Sequence, residues 1–185
     1  MNIKNKQELD EIIQYERDIY IKKLYPNSLN KNIKNKTLLF MKALRKAEYF
    51  KGKSIYKLKY TYWYMIYKLI SLITNVSIPL YVFDKGLLII HLQNIVVSSE
   101  VSVGMNCCLF HNTTIGIKMG NKKDGGKCPT IGSNVTICTG ACVLGDIYIP
   151  NNCVIAANAV VIDSFVDEKI GIGGISAKKI SVIGD

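Results

Sequence analysis

Along the first eighty positions apolar residues recur at intervals of three and four, the spacing that gathers them on one side of an α-helix. Glu8 to Lys23, Lys36 to Phe50 and Tyr56 to Ile73 each carry this pattern, the last with Leu58, Tyr62, Met65, Ile66, Leu69 and Ile73 on one side. Pro26-Asn27 and Gly52 interrupt it between the segments, so three helices are predicted before Pro79.

Further on the period changes to six. Counting in sixes from position 91 gives His91, Val97, Val103, Leu109 and Ile115, and after a polar interruption Ile131, Ile137, Val143, Ile149, Ile155 and Val161. All are aliphatic except His91, which therefore stands out. Four positions after each comes a small or aliphatic residue: Ile95, Val101, Cys107, Thr113, then Val135, Ala141, Ile147, Cys153 and Ala159. A short fixed period marks a stacked solenoid. Six residues span about 20 Å when extended, so the expected unit is a short strand. The repeated aliphatic faces a shared axis, and glycines such as Gly104, Gly116 and Gly132 are expected to supply positive φ at the corners. The interruption IKMGNKKDGGKCP, 117–129, reads as a protruding loop of the kind that carries function. The expected organisation is a helical region over 1–80, a coil of strands over 81–166 with a loop at 117–130, and a tail over 167–185.

Composition adds a bound and an asymmetry. A chain of 185 residues with 49% hydrophobic and 21% charged positions can bury a core as one domain with a small appendage. The net charge of +10 sits entirely in the first half: residues 1–85 hold 17 Lys/Arg against 7 Asp/Glu, and residues 86–185 hold 7 of each. Between Asn30 and Lys68 eleven Lys/Arg face one acid, Glu48, among Tyr56, Tyr60, Tyr62, Trp63, Tyr64 and Tyr67. That mixture fits helices packed on the coil with a solvated basic face. It also fits peripheral contact with an anionic membrane. Nucleic acid is not expected, since no recognised motif supports it. The first ten residues lack an apolar signal region, and Trp63 to Phe83 is broken by Lys68 and Asn75. A cytoplasmic protein is expected, with peripheral contact at the inner face of the membrane left open. The six cysteines form no CxxC pair, so they read as reduced core residues and no metal is expected.

Gly86 to Ile180 resembles the hexapeptide-repeat acyltransferases, whose fold is a left-handed parallel β-helix. The resemblance lies in GLLIIHLQNIVV at 86–97, TTIG at 113–116, CPTIG at 128–132, IAANAVV at 155–161 and GISAKKI at 174–180. Within that family it looks like the serine acetyltransferase branch. It departs from that branch at Val76 and Ile90, where the branch carries acidic residues, and at Lys127-Cys128, where it carries Arg-His. The runs IPLYVFDKGLLIIH and LFHNTTIG look closer to capsular and exopolysaccharide O-acetyltransferases. The fold class implied is mainly β, a left-handed parallel β-helix with a helical N-terminal region, assembled as a homotrimer.

O-acetyl transfer from a thioester requires a base for the attacking hydroxyl and a donor for the developing oxyanion. The resemblance makes His91 the catalytic base. His111, about one coil further on, is expected near the same corner as an assisting group. Asp84 is considered as a partner for His91. For acetyl-CoA the matching positions are Gly116, Thr139, Gly140 and Ala157, with Lys178, Lys179, Lys122 and Lys123 as candidates for its phosphates. The implied activity is acetyl-CoA-dependent O-acetylation of a sugar hydroxyl in surface-polysaccharide synthesis. The alternatives are serine O-acetylation for cysteine synthesis and a catalytically inactive scaffold.

Overall fold

The computed structural model describes residues 3–27, 35–118 and 127–183. Helix α1 spans Lys6–Leu24, and the Asn5 side chain starts it by accepting the Glu8 amide. Helix α2 spans Lys36–Phe50 and is capped in the same way by Asn35, which accepts the Thr37 amide at 2.8 Å. A short 3₁₀ turn, Ser54–Tyr56, leads into α3, Lys57–Thr74. Asn75 then takes the left-handed conformation (φ 52°) and turns the chain directly into the first strand.

The face of α3 that packs differs from the one the spacing singled out. Trp63, Tyr64, Ile66, Tyr67 and Ile70 rest on α2 and the coil, whereas Leu58, Tyr62, Met65, Leu69 and Ile73 are exposed. The helix is apolar on two sides, and the side that carries Trp63, Tyr64 and Tyr67 is the one that packs.

The coil is built from strands of two or three residues: β1 (Val76–Ser77), β2 (Leu88–Ile89), β3 (Ile95–Val97), β4 (Ser102–Val103), β5 (Cys108–Leu109), β6 (Thr114–Gly116), β7 (Thr130–Ile131), β8 (Thr136–Ile137), β9 (Cys142–Leu144), β10 (Tyr148–Ile149), β11 (Val154–Ile155) and β12 (Val160–Val161). They pair in parallel as three sheets, ordered β1-β3-β6-β9-β12, β4-β7-β10 and β2-β5-β8-β11, each one wall of a prism. A hairpin, β13 (Ile170–Gly174) with β14 (Ala177–Val182), extends the third wall. The repeated aliphatics from Val97 to Val161 face the interior and are buried, as are Val101, Cys107, Thr113, Val135, Ala141, Ile147, Cys153 and Ala159, each four positions after one of them. Eight residues of the polar interruption, 119–126, including Lys122 and Lys123, lie outside the described residues.

Two sequence-based expectations about the coil are corrected. Gly104, Gly116 and Gly132 do not have positive φ. Most left-handed corners are asparagines, all with φ between 50° and 59°: Asn94, Asn112 and Asn158 share one column with Gly140, and Asn106, Asn134 and Asn152 form another. Asparagine tolerates this conformation better than other residues with a Cβ, and its amide can bond to the next coil. Asn94 donates to Asn112 at 3.1 Å and Asn134 to Asn152 at 3.0 Å. Gly104 and Gly132 are needed for close approach instead: a Cβ on either would lie within 2.8 Å of the next coil's backbone.

The second correction concerns His91. Its apparent break in the aliphatic series is a register effect. Ile89, not His91, pairs with Leu109 and points into the core. The first corner carries two extra residues, closed by the Gln93 amide donating to the His91 carbonyl at 3.0 Å. Counting back in sixes therefore lands two positions too far along.

The helices are fastened to the coil through Arg45, which is fully buried. It binds Glu16 of α1 at 2.7 Å, Glu48 of its own helix at 3.0 Å, and the carbonyls of Phe83 and Asp84. Glu16 also accepts the Gly86 and Leu87 amides, and Glu48 accepts the Tyr81 amide. Every charge taken from water here meets a partner, which buried ions require.

Candidate functional site

The ladder on the third wall places one column of side chains just outside the sheet. Ile89 aligns with Leu109, Leu109 with Ile137, and Ile137 with Ile155. Two residues after each come His91, His111, Thr139 and Ala157. Gly174 follows, two after Ile172, which aligns with Ile155. Successive coils lie about 4.8 Å apart, so the column runs along the axis while its side chains shrink from imidazole to hydrogen. The result is a tapering column with two histidines at one end.

The His91 and His111 rings lie 5.4 Å apart, edge to face at 72°. His91 is exposed, and among the described residues no side chain hydrogen-bonds its ring. His111 is half-buried and held by Thr139, whose hydroxyl lies 3.1 Å from Nδ1. Its carbonyl accepts the Gly140 amide.

Beside His91 is a pocket of about 320 Å³. The coil contributes His91 and Gln93, and the helical region contributes Tyr20, Tyr25, Asn35 and Thr37. The Asn35 amide that caps α2 donates to the Tyr20 hydroxyl at 3.0 Å, so one residue starts the helix and fixes the pocket wall. In the sequence the helices fit packing on the coil or contact with a membrane, and none of these pocket residues stands out. The only available signal was Asn35 standing just before an apolar helical pattern, which marks a cap and not a pocket.

The other sequence-predicted positions divide. Thr139 and Ala157 lie on the column. Gly140 is adjacent, with φ 73°, at a left-handed corner that asparagine fills on the neighbouring coils, and a Cβ there would meet the Asn158 side chain. Gly116 ends β6 on another wall. Lys178 and Lys179 lie on β14, at the far end of the third wall from His91, about 24 Å by strand spacing. Lys179 is bound to Asp167 at 2.6 Å and Lys178 is exposed. Asp84 does not orient His91: its carboxylate accepts the Lys85 amide and its carbonyl accepts from Arg45. Val76 and Ile90 are buried apolar residues. Lys127 pairs with Asp146 at 2.9 Å on the surface, and Cys128 is buried.

A prism of parallel strands with paired histidines at one corner defines a fold class, the left-handed parallel β-helix with a helical N-terminal region, and the comparisons agree with it. The chain aligns with a serine acetyltransferase from Brucella abortus in complex with coenzyme A, with TM-score 0.74, 21% identity, and coverage of 97% of this chain and 70% of that one. It aligns equally with the serine acetyltransferase of Neisseria gonorrhoeae in complex with serine, with TM-score 0.73, 22% identity, and coverage of 95% and 70%. At this identity the likeness shows the fold. In sequence it is similar to the serine acetyltransferase of Staphylococcus aureus, 41% identical over 81 residues, which are 43% of this chain and 37% of that protein. The match thus covers well under half the length of that relative. No protein-family model matches the chain.

Proposed function

We propose that this chain is an acetyl-CoA-dependent O-acetyltransferase with His91 as its general base. The observation that carries the reading is the position of His91: an exposed imidazole where a column of shrinking side chains, read as a groove for acetyl-CoA, meets a pocket of about 320 Å³, with the His111 ring 5.4 Å away. The fold likeness to a coenzyme A complex supports the same reading. Acetyl-CoA, when bound, supplies the activated acetyl group. His91 takes the proton from the acceptor hydroxyl as its oxygen attacks, and returns it to the departing sulfur. His111, steadied by Thr139, stands beside it to donate to the oxygen that gains charge. Ala157 and Gly174 leave the groove open for a narrow chain, and Lys178 stands at its far end for a phosphate. Gly116 and Gly140 keep the adjacent turns small. A homotrimer, in which a second copy walls the groove, belongs to the same reading.

The relatives favour L-serine as acceptor over the sugar that the sequence motifs suggested. One observation keeps the sugar as a second reading. Among the described residues lining the pocket there is no carboxylate to meet an ammonium group, while Tyr20, Tyr25, Asn35 and Gln93 offer rings and amides suited to a neutral polyol. Thiol release from acetyl-CoA with L-serine, and separately with a panel of hexoses, amino sugars and oligosaccharides, decides between them. Turnover should fall roughly 10²–10⁴-fold in His91→Ala. Unchanged turnover in that variant would remove His91 from the mechanism. Failure of the wild-type protein to bind acetyl-CoA would favour the inactive scaffold.

A further inference from the structure

The side of α3 that faces away from the rest of the described residues carries an apolar stripe on which none of them packs. Leu58, Tyr62, Met65, Leu69 and Leu72 succeed one another at three- and four-residue spacing, and Ile73 extends the stripe by one position. Leu58 is 87% exposed, Leu72 77% and Ile73 74%. From Leu58 to Ile73 the stripe runs about 22 Å, at 1.5 Å per residue. Scattered exposed apolar residues are ordinary, but a contiguous row along one helix marks an interaction surface.

Charge identifies the partner. Lys57 and Lys68 lie along one border of the stripe and Lys59 along the other, with Lys51 and Lys53 at its N-terminal end. From Lys36 to Phe83 the only carboxylate is Glu48, which is buried against Arg45. Helices α2 and α3 thus present lysines around the stripe and no exposed carboxylate of their own. Several lysines are steadied over rings: Lys59 lies 5.1 Å from the Tyr56 centroid, and Lys68 lies 5.5 Å from that of Tyr64. A second copy packed on this face about a two-fold axis would set the lysine border against itself. An apolar row between lysines, with tyrosines at the margin, matches instead an anionic lipid surface, with the row in the acyl boundary and the ammonium groups among phosphates. No helix among the described residues is long and apolar enough to cross a membrane, so the contact is lateral.

We propose that the outward face of α3 docks this protein on an anionic lipid bilayer. The test is co-sedimentation of the full chain with phosphatidylcholine vesicles, with and without about a third phosphatidylserine, at two salt concentrations. Two variants accompany it: Leu58→Ser/Leu69→Ser/Leu72→Ser removes the row, and Lys57→Gln/Lys59→Gln/Lys68→Gln removes the border. These side chains are exposed and outside the site, so acetyl-CoA turnover should be unchanged. Wild-type protein should bind the anionic vesicles and weaken with salt, and each variant should bind at least tenfold more weakly, roughly a hundredfold for the lysines. Equal binding to neutral vesicles, or no binding, overturns the proposal. So does a fall in mass by light scattering, without vesicles, in the leucine variant, which would assign the row to a contact between copies.

Discussion

Thr139 illustrates how little the identity of a residue says about its work. The sequence placed it among cofactor positions by resemblance, while the structure gives it a hydroxyl 3.1 Å from His111 Nδ1. The same hydroxyl lies 3.5 Å from Nε2, so one side chain restrains the whole ring edge. Thr139 is therefore a positioning residue in the proposed mechanism. Thr139→Val keeps the shape and loses one hydrogen bond, worth about 1 kcal/mol or roughly fivefold. We expect kcat to fall by that factor with KM for acetyl-CoA nearly unchanged, and Thr139→Ser to restore kcat. Loss confined to KM would mean that Thr139 only walls the groove. His91 was found by its motif. Periodicity singles out the same residue only because two extra residues at its corner shift the count.

Among the elements, β5 makes the clearest statement about burial. Cys107, just before the strand, and Cys108 within it are both buried, and burial pushes their thiols up to about 11 and about 12 from the ordinary 9.0. The folded protein thus keeps them neutral where the unfolded chain ionises them. Their contribution to stability is complete below pH 9 and is lost as pH rises through 11 and 12. Urea midpoints from pH 8 to pH 11 should fall less steeply in Cys107→Ala/Cys108→Ala than in the parent, and parallel slopes would refute the assignment. The strands themselves were legible, because a period of six leaves few structural options. The corners were not, since both asparagine and glycine occupy left-handed positions and only the backbone shows which does so. Nor was the orientation of α3: with apolar residues on two sides, the spacing establishes a helix without saying which side the protein claims.

At the scale of the whole molecule, Arg45 determines whether helices and coil behave as one body. Burial pulls its guanidinium down, but Glu16 and Glu48 outweigh that and hold it charged. For Glu16 burial is the larger influence and raises its carboxyl, against Arg45 and the Leu87 and Gly86 amides. Removing the arginine alone therefore strands two buried carboxyls. Arg45→Met should cost about 3–5 kcal/mol, seen as a large drop in the thermal midpoint, whereas Glu16→Gln/Arg45→Met/Glu48→Gln leaves no unpaired charge and should recover much of it. The same clamp sets the pocket, since Tyr20 on α1 and Asn35 at the start of α2 reach His91 only while both helices sit on the coil. In the triple variant, assayed below its thermal midpoint, any slack between helices and coil should raise KM for the acceptor. KM for acetyl-CoA, whose proposed groove takes no residue from the helices, should hold. Equal rises in both would show that the helices and the groove are not separable in this way, and that Arg45 supports the coil as much as it positions the helices.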